Sequence, residues 1–116
     1  MIGTNAKCES LMCCRSEWGI AEPGQPVAGQ WGSNDGLCDL PPNTFKNMIE
    51  FVVSDISPDA IFWTGDNSAH TVWNNTEEEI TNDTKVITDM IKVAIKGKDI
   101  SVLPIQGNHD TWPTDQ

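Results

Sequence analysis

The sequence predicts an α/β fold in which a parallel βαβ crossover follows a disulfide-stapled loop region. After residue 42, helical periodicity and short apolar runs alternate in the order α, β, α, β. Before it, glycine and proline recur and no period persists, which is typical of loop. The four cysteines all lie in that first part, at Cys8, Cys13, Cys14 and Cys38. The sequence thus divides into a loop segment, 1–42, and a core segment, 43–116.

Length and charge narrow the class of protein. A chain of 116 residues, 38% of them hydrophobic, can form one domain with a core of its own. The formal net charge of −10 argues against nucleic acid, because nucleic-acid binding depends on Lys and Arg neutralising phosphates. No apolar run approaches the ~20 residues of a membrane-spanning helix, so no transmembrane segment is expected.

The cysteines and two sequons indicate an exported protein. An even number of cysteines among glycines and prolines is typical of disulfides. A structural zinc site is the alternative, but it usually needs two spaced pairs, whereas Cys13 and Cys14 are adjacent and Cys38 stands alone. Asn74 and Asn82 each begin an Asn-x-Thr triplet, which predicts N-glycosylation.

The first predicted helix begins at Asn43 and ends before Pro58. Its apolar residues recur at steps of three and four, at Phe45, Met48, Ile49, Val52 and Ile56. The apolar run that follows, 60–64, predicts a buried parallel strand.

The second predicted helix begins with a capping box. Thr76 is the expected N-cap and Glu79 its partner, and Gly97 is the expected C-cap. One face carries Ile80, Thr84, Ile87, Ile91 and Ile95. The run 100–105 then predicts a second strand, although its proline cannot donate a ladder hydrogen bond.

Polar residues follow both strands at the same point. Gly65-Asp66 closes the first strand, and Gly107-Asn108-His109 closes the second. Ligands of open parallel sheets gather beyond the carboxyl ends of the strands, and adjacent strands lie ~5 Å apart. We therefore expect Asp66 and Asn108, which carry hard oxygen donors, to face a divalent metal, with His70 and His109 beside them. The alternative is that both dipeptides are ordinary turn formers.

These residues carry a family resemblance. Gly65-Asp66 and Gly107-Asn108-His109-Asp110 resemble the motifs of calcineurin-like metallophosphoesterases. The wider set is similar to acid sphingomyelinase and its phosphodiesterase relatives. It comprises Cys8-x₄-Cys13-Cys14-Arg15, Gln30-Trp31-Gly32, Cys38-Asp39-Leu40-Pro41 and Trp63-Thr64-Gly65-Asp66-x₃-His70-x-Val72-Trp73.

The resemblance implies a secreted or lysosomal phosphodiesterase with two zinc ions in an αββα sandwich. It implies that Asp66 bridges the two ions and Asn108 binds one of them. It also implies that His109 and His70 stabilise the phosphoryl transition state and help protonate the leaving oxygen. The family's disulfides would be Cys8–Cys13 and Cys14–Cys38. The expected reaction is hydrolysis of sphingomyelin, a membrane sphingolipid, to ceramide and phosphocholine by metal-activated water.

The chain departs from the family pattern in three places. The family has an Asp-x-His metal motif before the first cysteine, which residues 1–7 do not contain. It also has further histidine ligands, which would come after residue 116. At position 71 the family usually has Asp, and this sequence has Thr71. We therefore expect residues 1–116 to be an incomplete catalytic domain that is inactive alone. Two alternatives stay open: a phosphodiesterase of the same fold that acts on nucleotides or other phosphodiesters, and a non-catalytic, disulfide-stapled, acidic binding module.

Overall fold

A computed structural model describes residues 19–25, 27, 29–32 and 38–114. The chain forms two compact units, Met1–Phe45 and Lys46–Gln116. None of the helices in the described ranges combines the length and the apolar character that a membrane crossing requires.

Turns dominate the described part of the first unit. Residues 19–25, 27, 29–32 and 38–41 contain no helix and no extended strand. The Thr44 hydroxyl donates to the Trp31 carbonyl oxygen at 2.7 Å, which ties this loop to the start of a helix. Cys38 is disulfide-bonded. Cys8, Cys13 and Cys14 lie outside the described residues, so the pairing stays a prediction.

The first helix is an α-helix that continues as a π-helix. Helix α1 spans Pro42–Phe51, and the π segment spans Val52–Ile56. Pro42 suits the first helical position, because the N–H that it lacks would have no partner there. The Ser57 N–H donates to the Val52 carbonyl at 3.0 Å, a step of five residues. Ser57 ends the segment with a left-handed φ of 51°.

The π segment corrects the predicted helix face. Ile49 and Val53 are the buried residues of this region, each 3% exposed, whereas Ile56 is 60% exposed. A π turn takes up more residues than an α turn, so the buried position moves along the chain. Ile49 and Val53 lie four residues apart, and the α-helical period that placed Ile56 on the same face as Ile49 does not continue through the π segment.

The two strands pair in parallel, as predicted. Strand β1 spans Ala60–Trp63 and strand β2 spans Ser101–Pro104. The register pairs Ala60 with Ser101 and Trp63 with Pro104. The missing N–H of Pro104 does not end the ladder, because the Ile105 N–H donates to the Trp63 carbonyl at 2.7 Å.

Burial in this sheet alternates, and the expected fully buried strand is wrong. The paired residues Ile61 and Val102 are half-buried, whereas the next pair, Phe62 and Leu103, is 68% and 45% exposed. Parallel sheets are normally covered on both faces. Within the described residues, one face of this sheet carries no such cover.

Helix α2, Glu77–Ala94, connects the strands and completes a β-α-β unit. The predicted capping box is present. The Glu79 N–H donates to the Thr76 hydroxyl oxygen at 3.2 Å, and the Thr76 N–H donates to the Glu79 carboxylate at 2.9 Å. Ile80 and Ile91 are each 4% exposed and form part of the core of the second unit with Ile49 and Val53. Ile87 and Ile95, on the same predicted face, are half-buried.

Candidate functional site

The carboxyl ends of β1 and β2 bring the two glycine turns into contact. After Trp63 and Pro104 pair, the chain turns at Gly65-Asp66 and at Gly107-Asn108. The backbone N–H of His109 donates to the Asp66 Oδ1 at 3.1 Å, so the first turn is bonded directly to the second. The sheet thus places Asp66 beside the segment that carries Asn108 and His109.

Gly65 and Gly107 allow this close approach. Gly65 has a φ of +78°, and a Cβ atom on it would lie 2.9 Å from the Gly107 Cα and overlap the Asp110 carboxylate. A Cβ on Gly107 would lie 2.6 Å from the Asp66 backbone nitrogen and overlap the Asp66 carboxylate. Any side chain at either position would push the two turns apart. Glycine is therefore a steric requirement of the site at both positions.

Asp110 joins the two turns through both oxygens of its carboxylate. Its Oδ2 accepts from the Asp66 N–H at 2.8 Å and from the Gly107 N–H at 2.9 Å. Its Oδ1 accepts from the backbone N–H and the side-chain amide of Asn67, each at 2.9 Å. Burial raises the pKa of Asp110, but the hydrogen bonds from Asn67, Gly107 and Asp66 outweigh it and lower the pKa below the ordinary value.

No role was predicted for Asp110, although it belongs to the quoted Gly-Asn-His-Asp motif. A signal was present, since an acidic residue three positions after a turn glycine can accept from that glycine's N–H. Its bonds to Asp66 and Asn67 carried no such signal, because those residues are distant in sequence. Asn67 extends the network, since its side-chain oxygen accepts from the Trp63 indole N–H at 2.9 Å.

Asp66 adopts a conformation that few residues other than glycine tolerate. Its φ is +56°, in the left-handed region that Asp and Asn enter more easily than other side chains. The bond from its own N–H to Asp110 holds this conformation, and its Oδ1 is engaged by His109. The residue is exposed, so its carboxylate is held in one orientation at an accessible edge.

The two histidines lie next to each other. The ring centroids of His70 and His109 are 4.9 Å apart, and the rings meet edge to face at 67°. His109 is half-buried and His70 is exposed. Two imidazoles thus lie beside the edge that carries Asp66 and Asn108. The structure brings together all four residues that the sequence singled out.

The loop of His70 is anchored by Asn75, which sequence reasoning treated only as the middle of a glycosylation triplet. Asn75 is 7% exposed. Its amide donates to the Ala69 carbonyl at 2.7 Å, and its side-chain oxygen accepts from the Thr71 hydroxyl at 3.0 Å. The two sequon asparagines, Asn74 in the same loop and Asn82 in α2, are both exposed.

The donors of the site fit part of a metal centre. Asp66 offers a carboxylate and Asn108 an amide oxygen, both of which bind divalent cations in proteins. In the described portion of the chain, no three His, Cys, Asp or Glu residues form a group that could hold a metal ion. Asp66 and Asn108 would therefore supply a share of a coordination sphere that needs further ligands.

Comparison with known proteins finds sphingomyelin phosphodiesterases that match nearly the whole chain. No protein-family model matches. Sphingomyelin phosphodiesterase B of Dictyostelium discoideum is 34% identical over 113 residues, which cover 96% of this chain. Sphingomyelin phosphodiesterase of Bos taurus is 33% identical over 111 residues, again 96% of this chain. The chain is acid sphingomyelinase-like.

The sphingomyelinase-like chain spans only a small part of these curated relatives. It covers 17% of the length of each of the two proteins above. The cyclic GMP-AMP phosphodiesterase of Bos taurus is also similar, at 33% identity over 105 residues, 89% of this chain and 22% of that protein. The relatives that match this chain therefore have names that specify different phosphodiester substrates.

Proposed function

We propose that the chain is part of a zinc-dependent phosphodiesterase that hydrolyses sphingomyelin to ceramide and phosphocholine. One observation supports this above all: Asp66 is bonded to the turn of Asn108 and His109, and the ring of His109 contacts that of His70. This group lies at the carboxyl edge of a parallel strand pair, where α/β folds place their ligands. The sphingomyelin phosphodiesterases that the chain matches favour this phosphodiester substrate.

Asp66 and Asn108 would hold the metal. In this proposal the Asp66 carboxylate and the Asn108 side-chain oxygen would hold the two zinc ions, together with ligands from outside this chain. When bound, the two ions would neutralise charge on the phosphate and activate the attacking water. Asp110 holds the Asp66 backbone through the Asp66 N–H, and the His109 N–H engages the Asp66 carboxylate.

His109 and His70 would act on the phosphate and the leaving group. An imidazole that donates a hydrogen bond to a phosphoryl oxygen stabilises the charge that develops there, and one that gives up its proton neutralises the leaving oxygen. The edge-to-face contact limits the orientations of both rings. The His109 backbone holds Asp66, which couples the position of this imidazole to that of the metal-binding carboxylate.

A nucleotide phosphodiester is the second candidate substrate. The similarity to the cyclic GMP-AMP phosphodiesterase favours it, since that relative matches over 89% of the chain. An assay would distinguish the two candidate substrates. The purified full-length protein would be given sphingomyelin vesicles or a cyclic dinucleotide at matched concentrations. We expect sphingomyelin to be the better substrate by kcat/KM. A chelator should abolish turnover and added zinc should restore it, whereas hydrolysis that survives zinc removal would contradict the proposal.

We also propose that the protein is secreted or lysosomal, with glycans on Asn74 and Asn82 and disulfides Cys8–Cys13 and Cys14–Cys38. The exposure of both asparagines and the disulfide-bonded Cys38 support an exported protein.

The disulfide pairing can be tested by mass spectrometry. Four cysteines allow three pairings, and the proposed one predicts a Cys14–Cys38 linked pair in a non-reduced digest. Detection of Cys8 linked to Cys38 would show that the pairing is wrong.

A further inference from the structure

Asn75 is a buried side chain for which the proposed mechanism has no use. It keeps only 7% of its surface exposed, although it lies in a loop. Burying an amide without partners is costly, so its hydrogen bonds must offset the loss of water. Both of its hydrogen bonds go to residues that flank one histidine.

These bonds hold His70 from either side. The Asn75 amide donates to the Ala69 carbonyl at 2.7 Å, and the Thr71 hydroxyl donates to the Asn75 side-chain oxygen at 3.0 Å. The segment 64–76 contains no helix or strand, so no regular ladder fixes the backbone around His70. Instead, Asn75 makes two hydrogen bonds, one with the residue before His70 and one with the residue after it.

Asn75 also links this loop to a rigid element. The next residue, Thr76, is the N-cap of α2, and its capping box with Glu79 fixes the start of that helix. The capping box fixes where the chain enters α2, directly after Asn75. The Asn75 side chain therefore joins the segment that carries His70 to the start of α2.

We propose that Asn75 is a positioning residue that holds the His70 imidazole against His109 for the proton transfer of phosphodiester hydrolysis. This inference rests on the proposed function, because it assigns Asn75 an effect on catalysis only through His70. A misplacement of about 1 Å in a reacting group can cost ~10²-fold in rate, so an anchor of this kind affects turnover more than binding.

The direct test is Asn75→Ala in the full-length enzyme. We expect kcat for sphingomyelin to fall ~10–100-fold while KM and zinc content stay unchanged. The substitution leaves the Asn74-x-Thr76 triplet intact, so a glycan on Asn74 is not lost. Asn47→Ala, at an exposed position in α1, is the matched control and should keep the kcat of the unmodified enzyme. An unchanged kcat for Asn75→Ala would overturn the inference.

A double-mutant cycle separates positioning from general stability. If Asn75 acts through His70, Asn75→Ala should cause no further loss of kcat in a His70→Ala background. A further loss equal to that seen in the unmodified enzyme would overturn the inference and leave the proposed function standing. Full activity of His70→Ala would overturn both.

Thr71→Val provides the same test if Asn75→Ala does not fold. It removes one hydroxyl and keeps the shape of the side chain. We expect a severalfold loss of kcat that also disappears in the His70→Ala background. A Thr71→Val enzyme with normal kcat, or with a loss that persists without His70, would contradict the positioning role.

Discussion

At the scale of single residues, the proposed mechanism assigns metal binding and proton transfer to different side chains. The Asp66 carboxylate contacts the His109 backbone, whereas the His109 imidazole contacts His70. The two residues are thus bonded to each other without sharing a functional group. Each side chain can therefore be altered with a different expected result.

Asp66→Asn in the full-length enzyme should lose both zinc and activity, whereas His109→Ala should lose activity alone. Asn tolerates the left-handed backbone of Asp66 but lacks the negative charge with which Asp66 would hold the proposed zinc ions. His109→Ala keeps the N–H that donates to Asp66, so the carboxylate stays oriented, and loss of acid–base assistance costs ~10²–10⁴-fold.

Metal analysis beside a sphingomyelin assay would measure both effects, with Asp99→Asn, at an exposed position, as the control. Zinc loss in His109→Ala would show that the histidine is a ligand. Full activity in both variants would show that the reaction takes place elsewhere.

Asp110→Asn should loosen the contact between the two glycine turns. The amide group presents N–H donors where the carboxylate accepted from Asp66, Gly107 and Asn67, so some of these donors lose their partners. We expect the free energy of unfolding to fall by ~1–3 kcal/mol and zinc affinity to weaken. Chemical denaturation and zinc titration of the full-length protein would test this. Wild-type values in both would show that Asp110 does not hold the turns together.

At the scale of elements, α2 contributes Ile80 and Ile91 to the core of the second unit. Ile80 and Ile91 are buried on one side of the helix, and Val93, close to Ile91 in sequence, is 72% exposed on another side. The capping box fixes where this helix starts. The helix also contacts the 3₁₀ turn Asn108–Asp110, so its packing supports the site directly.

Ile91→Ala should destabilise the complete domain by ~2–5 kcal/mol, the range for truncating a buried isoleucine. Val93→Ala, a similar truncation on the same helix, should change the free energy of unfolding by less than ~0.5 kcal/mol because the side chain is exposed. Urea denaturation of both variants would measure the difference. Equal effects would mean that this face of α2 is not the core.

At the scale of the whole molecule, the chain presents a partial site on a partly covered sheet. No three His, Cys, Asp or Glu residues of the described ranges form a group that could hold a metal ion, so the proposed donors Asp66 and Asn108 would need further ligands. The Phe62–Leu103 pair stays exposed on one sheet face. Both features agree with a chain that spans 17% of the length of its sphingomyelin phosphodiesterase relatives.

Residues 1–116 alone should therefore show no zinc-dependent hydrolysis of sphingomyelin. Two oxygen donors bind zinc weakly, since protein zinc sites usually supply three or four ligands. Isothermal titration with zinc and a choline-release assay on the isolated chain would test this, with the full-length protein as the positive control. Measurable turnover by the isolated chain would contradict the partial-site interpretation.

The sequence alone determined the order of the elements and the edge at which the site forms. The capping box at Thr76, the parallel strands and the two glycine turns follow from local periodicity and from residue chemistry over a few positions. The buried position at Val53, the bonds of Asp110 to Asp66 and Asn67, and the contact between His70 and His109 were decided only by the tertiary structure. A π turn changes the period within a helix, and hydrogen bonds between residues far apart in sequence leave no local pattern.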